Sequence, residues 1–291
     1  MATLSHQMQA LPRFDRVFRA MHGFTHTAAL ETAVELDLFT AIAEGNTDVG
    51  SIASRCRASE RGVRSLCDFL TVEGFLVKND SRYALAAESA AYLDRNSPSY
   101  LGSAVQFLHS TLLVDAFNRL TDAVRKGGTA ITDHGAMEPN HPIWENFARS
   151  MAPLMIYPAE RIAALLNADA GERWKVLDIA AGHGLFGITL ARHNPNAHIY
   201  AVDWQRVLAV ARENAEKAGV AARFHALEGN AFEVPFAPDH DVVLLTNFLH
   251  HFDIPTCESL LRKVRGALKP CGRVAVLEFV PTPDRVSPPP A

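Results

Sequence analysis

The chain has 291 residues, of which 48% are hydrophobic and 21% charged, and its formal net charge at pH 7 is −4. This length accommodates two domains that each bury a core. The net negative charge gives no basic surface for nucleic acid, so we expect no nucleic-acid partner. No apolar run approaches the roughly 18 residues of a membrane span, so we expect no membrane association. The first residues lack the apolar stretch of a secretory signal, which favours the cytoplasm.

Metal and disulfide chemistry are also poorly supported by the sequence. The four cysteines lie far apart and have no C-x-x-C spacing, so we expect free thiols. None of the 13 histidines forms a metal-ligand spacing with a second histidine or a carboxylate on one helix face. We therefore predict no metal site.

The N-terminal third reads as helices followed by a hairpin. Residues 26–45 have helical spacing of apolar residues and end at a glycine, which predicts one amphipathic helix. Residues 49–55 and 59–73 predict two short helices separated by a turn, and residues 74–86 predict a β-hairpin with a polar turn. Helices followed by such a hairpin are typical of a winged-helix unit.

A winged helix raises the alternative of a ligand-responsive DNA-binding regulator. Arg57, Arg61 and Arg64 could contact DNA from the second helix. Acidic residues such as Glu60 and Asp68 dilute that positive charge, which favours a scaffold or dimerisation role.

Further helical patterns cover residues 100–126 and 142–168. Glycines and prolines interrupt them between residues 127 and 142, which indicates a loop over a site. The second pattern has a face rich in aromatic residues and methionine, for which ordinary core packing is the alternative to a binding role. Its members are Trp144, Phe147, Met151, Met155 and Tyr157.

From residue 174 onward, short apolar runs alternate with helical patterns. The predicted strands cover residues 175–180, 198–203, 223–228, 241–247 and 273–280, and the predicted helices cover 184–193, 205–218 and 255–268. Successive units of this kind build an α/β Rossmann-like parallel sheet with helices on both faces. Such a sheet binds its ligand at the carboxyl ends of the strands.

The strongest local signal is WKVLDIAAGHGLFGITLARH, in which a buried strand runs through a glycine-rich turn into a helix. Gly182 and Gly184 let the backbone approach a ligand closely, and Gly187 lets the helix pack near the sheet. Asp203 ends the second strand about twenty residues later, where a carboxylate can accept hydrogen bonds from both ribose hydroxyls. These features predict an adenosine-containing cofactor.

The glycine spacing alone does not identify that cofactor, because it also fits the dinucleotide fingerprint of nicotinamide enzymes. Asp178 lies in the strand before the glycines, where its charge would repel a pyrophosphate but can bind the ammonium of a methionine moiety. After the third strand, Asn230 and an apolar neighbour offer contacts for an adenine ring. S-adenosyl-L-methionine is favoured, and a nicotinamide-dependent oxidoreductase is the alternative.

Several motifs together carry a family resemblance. They are D-I-A-A-G-H-G, the terminal Asp203, G-N-A-F and T-N-F-L-H-H-F-D, joined by F-A-R-S-M and V-A-V-L-E. They resemble the class I S-adenosylmethionine-dependent small-molecule O-methyltransferases, the family of plant caffeic acid-type and bacterial polyketide- and carotenoid-type enzymes. The resemblance implies methyl transfer to a hydroxyl of an aromatic or polyketide-like small molecule. It also implies a mainly helical winged-helix dimerisation domain and a homodimer formed through it.

The resemblance implies a set of site residues. Those assigned to the cofactor are Asp178, Gly182, Gly184, Asp203, Trp204, Asn230, Ala231 and Thr246. Those assigned to the acceptor are Phe147, Met151, Met155 and Asn247, with plain core packing as the alternative. Two positions depart from the usual pattern, because Ala180 stands for its first glycine and Asn230 for an aspartate.

Methyl transfer from a sulfonium is an in-line displacement, so the protein mainly aligns the reactants. A phenolic acceptor of pKa around 10 also needs a base. His250 and His251 follow the fourth strand, where a neutral imidazole could take that proton. By resemblance His250 is the base and Glu278 orients it. The alternative is that both histidines simply lie near a helix.

We expect residues 1–100 to form the dimerisation domain, 101–170 to be linking helices that contribute to the acceptor pocket, and 171–291 to form the cofactor-binding domain. After Glu278 the sequence is proline-rich and shows no further strand. The family resemblance implies a further helix and an antiparallel strand pair there. We therefore expect the cofactor-binding domain to be incomplete at its C-terminal end, with an exposed edge at the fifth strand.

Overall fold

The computed structural model describes residues 14–128 and 142–286. The chain divides into two compact units, Met1–His109 and Ser110–Ala291. Within the described ranges, no helix is both long and apolar enough to cross a membrane.

The first unit contains seven helices and a two-stranded antiparallel sheet within its described residues. In chain order they are α1 (Asp15–Met21), α2 (Gly23–Glu35), α3 (Leu38–Ala43), α4 (Val49–Cys56), α5 (Glu60–Val72), β1 (Leu76–Asn79), β2 (Arg82–Leu85), α6 (Ala87–Tyr92) and α7 (Gly102–Leu108). Their core includes the fully buried Phe39, Leu70 and Tyr83. The predicted helix pair and hairpin are confirmed as α4, α5 and β1–β2.

Side chains cap both helices of this pair. The Asp48 carboxylate accepts a hydrogen bond from the backbone N–H of Ser51 at the start of α4, and the Ser59 hydroxyl accepts one from Gly62 at the start of α5. Each cap satisfies an N–H group that the helix itself cannot pair. The four cysteines are free thiols.

The single helix expected over residues 26–45 is instead two helices, α2 and α3. The chain turns at Asp37, whose φ of 53° lies in the left-handed region that ends a helix. The Asp37 carboxylate accepts a hydrogen bond of 2.8 Å from the Arg95 guanidinium. The turn lets α3 bury Leu38 and Phe39 in the core, a tertiary advantage that helical periodicity does not reveal.

The second unit opens with four helices. They are α8 (Thr111–Asn118), α9 (Leu120–Lys126), α10 (Pro142–Met151) and α11 (Ile156–Leu166). The aromatic and methionine-rich face was expected on one helix, but a 3-10 turn at Ala152–Met155 separates α10 from α11, and Tyr157 is exposed. Pro153 lies in this turn and has no N–H to continue an α-helix. The predicted loop between residues 127 and 142 falls mainly at 129–141, outside the described residues.

A five-stranded parallel sheet forms the centre of the second unit, as predicted. Its strands are β3 (Trp174–Ile179), β4 (Ala197–Asp203), β5 (Phe224–Glu228), β6 (His240–Thr246) and β7 (Leu268–Leu277), in the order β5-β4-β3-β6-β7. The connecting helices are α12 (Leu185–His193), α13 (Gln205–Lys217) and α14 (Ile254–Ala267). The carboxyl ends of β3, β4 and β6 therefore lie side by side.

The last strand differs from the prediction at both ends. β7 begins at Leu268 rather than at residue 273 and ends at Leu277, and its register with β6 shifts between His240 and Val242. Such irregularities are typical of edge strands. Glu278 therefore lies just beyond the strand rather than within it.

Apolar side chains cover both faces of the sheet. One face packs Val176 and Leu244 against α12, and the other packs Leu177 and Val243 against α14. Burial on both faces is typical of parallel strands linked by helices. This packing holds each strand in place and thereby positions the loop at its carboxyl end.

His193, at the end of α12, joins two carboxylates by hydrogen bonds. Its Nδ1 lies 2.9 Å from Asp169 and its Nε2 lies 2.6 Å from Glu160 of α11. The hydrogen bonds with Asp169 and then Glu160 raise the pKa of His193. The protonated imidazole therefore holds α11 against α12.

We expect His193→Gln to lower the free energy of unfolding by about 0.5 kcal/mol at pH 5.5, because the side chain is partly exposed and its ion pairs are screened. A raised pKa means that this contribution is complete below the unfolded value near 6.5 and is lost as the pH rises through the folded value. Urea unfolding at pH 5.5 and pH 9 measures it. His198→Gln is the control, because the His198 ring stacks on His225 and not on a carboxylate. Equal losses for His193→Gln at both pH values would contradict the assignment.

Candidate active site

The turn after β3 has an unusual backbone. Ala180, Gly182 and Gly184 all have positive φ angles, of 54°, 57° and 73°. Glycine adopts this conformation freely, whereas at Ala180 it costs roughly 1 kcal/mol. The turn is pinned to the sheet, because the N–H of Ala181 donates to the carbonyl of Val202 at 3.1 Å.

Asp203, at the end of β4, holds the same turn through its side chain. One carboxylate oxygen accepts from the N–H of Gly182 at 2.8 Å, and the other accepts from the N–H of Trp204 at 2.7 Å. Burial raises the pKa of Asp203 to about 6, against the lowering effect of these two hydrogen bonds. The carboxylate is therefore preorganised between the first and second loops of the sheet.

Asp178, inside β3, lies beneath the turn and is fully buried. Its Oδ2 accepts from the N–H of Gly187 at 3.1 Å, whereas its Oδ1 has no hydrogen-bond partner among the described residues. Burial, with a further contribution from the charge of Asp203, raises the pKa of Asp178 to about 7. A buried oxygen without a partner is a feature that bound ligands commonly satisfy.

The loop after β5 lies next to Asp203, whose carbonyl accepts from the N–H of Gly229 at 3.0 Å. The Asn230 side chain closes a local turn by accepting from the N–H of Phe232 and donating to Glu233. Ala231 is buried, and the Phe232 ring packs edge-on against Phe252. An apolar wall therefore follows the third strand of the sheet.

A second group of side chains follows β6 and β7. Glu278 accepts from the N–H groups of Phe248 at 2.8 Å and Leu249 at 2.6 Å through Oε1, and its Oε2 lies 2.6 Å from Nδ1 of His250. Burial would raise the pKa of Glu278, but the bonds from His250, Leu249 and Phe248 together lower it. A carboxylate in this position favours the His250 tautomer that carries its proton on Nδ1.

His251 lies beside this pair, with its ring 4.1 Å from that of His250. It also lies edge-on to Trp144 of α10, at 5.8 Å between ring centroids. Burial and then the neighbouring His250 lower the pKa of His251. His251 therefore tends to stay neutral.

The other predicted acceptor residues lie near these loops or on α10. Asn247, with a φ of 51°, donates from Nδ2 to the sulfur of Met155 at 3.3 Å. The Phe147 ring lies 5.9 Å from that of Trp144, and Met151 is half-buried at the end of α10. Thr246 is buried at the end of β6. Trp144 and Trp204 both pack against Ala148, Val207 and Val210, which brings α10 to the loop after β4.

Some contributors were not assigned a site role from the sequence. The N–H groups of Phe248 and Leu249 are backbone atoms and carry no residue signal. The sequence places Trp144 only on an aromatic helix face. It gives no role to His183, which is buried in the glycine turn and has its pKa lowered by burial to about 4. In the described part of the chain, no group of three or more His, Cys, Asp or Glu side chains could hold a metal ion.

The strand order and the glycine turn after β3 define the class I methyltransferase fold. Residues 176–272 match the methyltransferase domain family, and residues 18–95 match the O-methyltransferase dimerisation domain. A crystal structure from Nostoc punctiforme, assigned as an O-methyltransferase, is 50% identical, with a TM-score of 0.89 and coverage of 96% of this chain and 83% of that one. The chain belongs to the S-adenosylmethionine-dependent O-methyltransferases, which confirms the predicted family, enzyme class and cofactor.

More distant relatives have named activities. The 3-hydroxy-5-methyl-1-naphthoate 3-O-methyltransferase of Streptomyces sahachiroi is 29% identical, with coverage of 91% of this chain and 77% of the relative. Acetylserotonin O-methyltransferase of Mus musculus is 26% identical, with coverage of 96% and 77%. The comparisons give no support to the oxidoreductase or the DNA-binding regulator.

We expect Gly187→Ala to destabilise the protein by about 1–3 kcal/mol through overpacking. An added Cβ would lie 2.5 Å from Ile199 and 2.9 Å from the Asp178 carboxylate. Gly266→Ala on α14 is the matched control, because nothing lies within 4 Å of its Cβ and alanine favours the helix by about 0.5–1 kcal/mol. Thermal unfolding followed by circular dichroism measures both; a Gly187→Ala protein as stable as Gly266→Ala would refute the close packing.

Proposed function

We propose that this chain transfers the methyl group of S-adenosylmethionine to a phenolic or enolic hydroxyl of a small aromatic or polyketide-like molecule, with His250 as the base. The observation that carries the proposal is the 2.6 Å contact between His250 Nδ1 and the Glu278 carboxylate, at the edge of the sheet where ligands bind. A base oriented in this way suits an acceptor that must lose a proton.

The residues of the first two loops fit the cofactor. The free Oδ1 of Asp178 suits the ammonium group of the methionine part, and the positive-φ turn at Gly182 and Gly184 allows close approach of the backbone. Asp203 suits the ribose hydroxyls. We assign Trp204, Asn230, Ala231 and Thr246 to the same site, with the adenine ring against the apolar wall after β5.

In the reaction, S-adenosylmethionine supplies an electrophilic methyl group on a sulfonium. His250 Nε2 accepts the acceptor's hydroxyl proton as the oxygen attacks, and Glu278 stabilises the imidazolium that results. Because in-line displacement depends on alignment, the remaining role of the chain is to hold the acceptor oxygen in position. His251 remains a second candidate for the base.

The acceptor class is supported by the site and by the named relatives. Phe147, Met151, Met155 and Asn247 would surround a flat ring, and Trp144 adds a further aromatic surface. The named relatives include methyltransferases of a hydroxynaphthoate, of acetylserotonin and of the polyketide tetracenomycin. We retain the division into residues 1–100, 101–170 and 171–291, with the middle part contributing to the acceptor pocket.

We also infer that the protein is a homodimer through its N-terminal domain. Helix α1, the residue before it and the start of α2 expose large apolar side chains, including Phe14 at 68% and Phe24 at 73%. Isolated exposed apolar residues are ordinary, but a cluster of them is typical of an interaction surface. The other members are Val17, Phe18 and Met21.

We expect His250→Ala to lower kcat by about 10²- to 10⁴-fold, because a general base contributes that much. Affinity for S-adenosylhomocysteine should stay nearly unchanged. The assay measures transfer of labelled methyl to 3-hydroxy-5-methyl-1-naphthoate or N-acetylserotonin, and calorimetry measures the affinity.

His251→Ala is the matched control for this experiment and should lower kcat much less. A greater loss for His251→Ala would make His251 the base. Equal loss of kcat and cofactor affinity in His250→Ala would contradict a catalytic role. Transfer to neither acceptor by the unaltered chain would contradict the proposed acceptor class.

We expect Asp203→Ala to weaken binding of S-adenosylhomocysteine by about 100-fold, because it removes two hydrogen bonds to a charged group. Calorimetric titration of the 291-residue chain measures this. Glu258→Ala, an exposed carboxylate on α14, should bind as the unaltered chain does. Unchanged affinity in Asp203→Ala would show that Asp203 is not part of the cofactor site. Binding of NADH instead of S-adenosylhomocysteine would overturn the cofactor assignment.

A further inference from the structure

The carboxyl group of Asp178 has a hydrogen-bond partner on only one of its two oxygens among the described residues. It is fully buried, its Oδ2 accepts one backbone hydrogen bond from Gly187, and its Oδ1 is inaccessible and unpaired among the described residues. A buried carboxylate normally has a cation or several donors to stabilise its charge. Asp178 has one donor.

The surroundings of Asp178 offer no compensating positive charge. Its neighbours across the sheet are Ala201 of β4 and Leu244 of β6, and α12 contributes Gly187. The charged group that acts on it within the described residues is Asp203, whose charge disfavours a second anion. His183, in the adjoining turn, is neutral because burial lowers its pKa to about 4.

These conditions favour a protonated Asp178 when no cofactor is bound. Burial raises the pKa of this group to about 7, so near neutral pH a large share of the molecules hold the proton. The proton makes the carboxyl group neutral, which removes the cost of an unpaired buried charge. A cation bound beside the ionised carboxylate would also remove that cost, because it would pair with the negative charge.

We propose that the ammonium group of the cofactor's amino-acid part replaces this proton, so that cofactor binding releases one proton from Asp178 to solvent. The step balances as a neutral carboxylic acid plus an ammonium ion giving a carboxylate–ammonium pair plus a proton. This inference rests on the proposed function. It makes Asp178 the group that distinguishes a ligand that carries an amino-acid part from a ligand that lacks one.

The exchange makes affinity depend on pH in one direction. Below the pKa of Asp178, each unit fall in pH should weaken binding of S-adenosylhomocysteine up to tenfold, because the ligand must displace a proton. Well above that pKa the affinity should become constant. A ligand without an ammonium group should not show this dependence through Asp178.

The test is calorimetric titration of the full chain with S-adenosylhomocysteine and, separately, with 5′-methylthioadenosine, which keeps the adenine, ribose and thioether but lacks the amino acid. Each titration is run in two buffers of different ionisation enthalpy, which reports the number of protons released. The methylthioadenosine value contains any contribution of Asp203 at the ribose, because both ligands contact it. The difference between the two ligands therefore isolates Asp178.

We expect S-adenosylhomocysteine to release more protons than methylthioadenosine at pH 6, by up to one per site, and this difference to become small at pH 8.5, because burial raises the pKa of Asp178 to about 7. In Asp178→Asn this difference should vanish at both pH values, while methylthioadenosine still binds and shows that the site is folded. Equal proton release by both ligands in the unaltered chain would overturn the inference and leave the proposed function intact. Failure of both ligands to bind would overturn the proposed function and this inference with it.

Discussion

Carboxylates at the ends of strands hold the loops of neighbouring strands, and the rest of the site depends on this interaction. Asp203 is the last residue of β4 and accepts a hydrogen bond from the N–H of Gly182 in the loop after β3. Glu278 follows β7 and binds the N–H groups of Phe248 and Leu249 in the loop after β6. A charged acceptor strengthens each bond, so each loop is fixed by a strand that is adjacent in space and distant in sequence.

Two carboxyl groups of the site have pKa values that are shifted in opposite directions. Glu278 has three donors and a lowered pKa, so it is an anion that orients His250. Asp178 has one donor, no accessible surface and a raised pKa. The number of donors and the burial decide the charge of a carboxyl group, and residue type alone does not.

Helix α10, which carries two of the proposed acceptor residues, packs on α13, which follows the proposed ribose-binding Asp203. Arg149 binds Glu213 through two hydrogen bonds of 2.7 and 2.9 Å, and Ala148 lies buried against Val207 and Val210. A bidentate pair restrains both position and orientation. The edge-on contact of Trp144 with His251 then extends this link to the histidine pair. Displacement of α10 would therefore disturb both the histidine pair and the loop after β4.

The amino-acid sequence by itself determined the β-α alternation, the parallel sheet and the glycine turn, because these depend on local patterns of apolar residues and glycines. Its motifs also carried the resemblance that predicted the family and the cofactor. It also predicted that Glu278 acts on His250. Periodicity did not reveal the break at Asp37 or the 3-10 turn before α11, where core packing and Pro153 outweigh helical spacing. Only the tertiary structure decided that Asp178 has a free oxygen, that backbone N–H groups stabilise Glu278 and that Trp144 contacts His251, because these contacts join residues that are far apart in the chain.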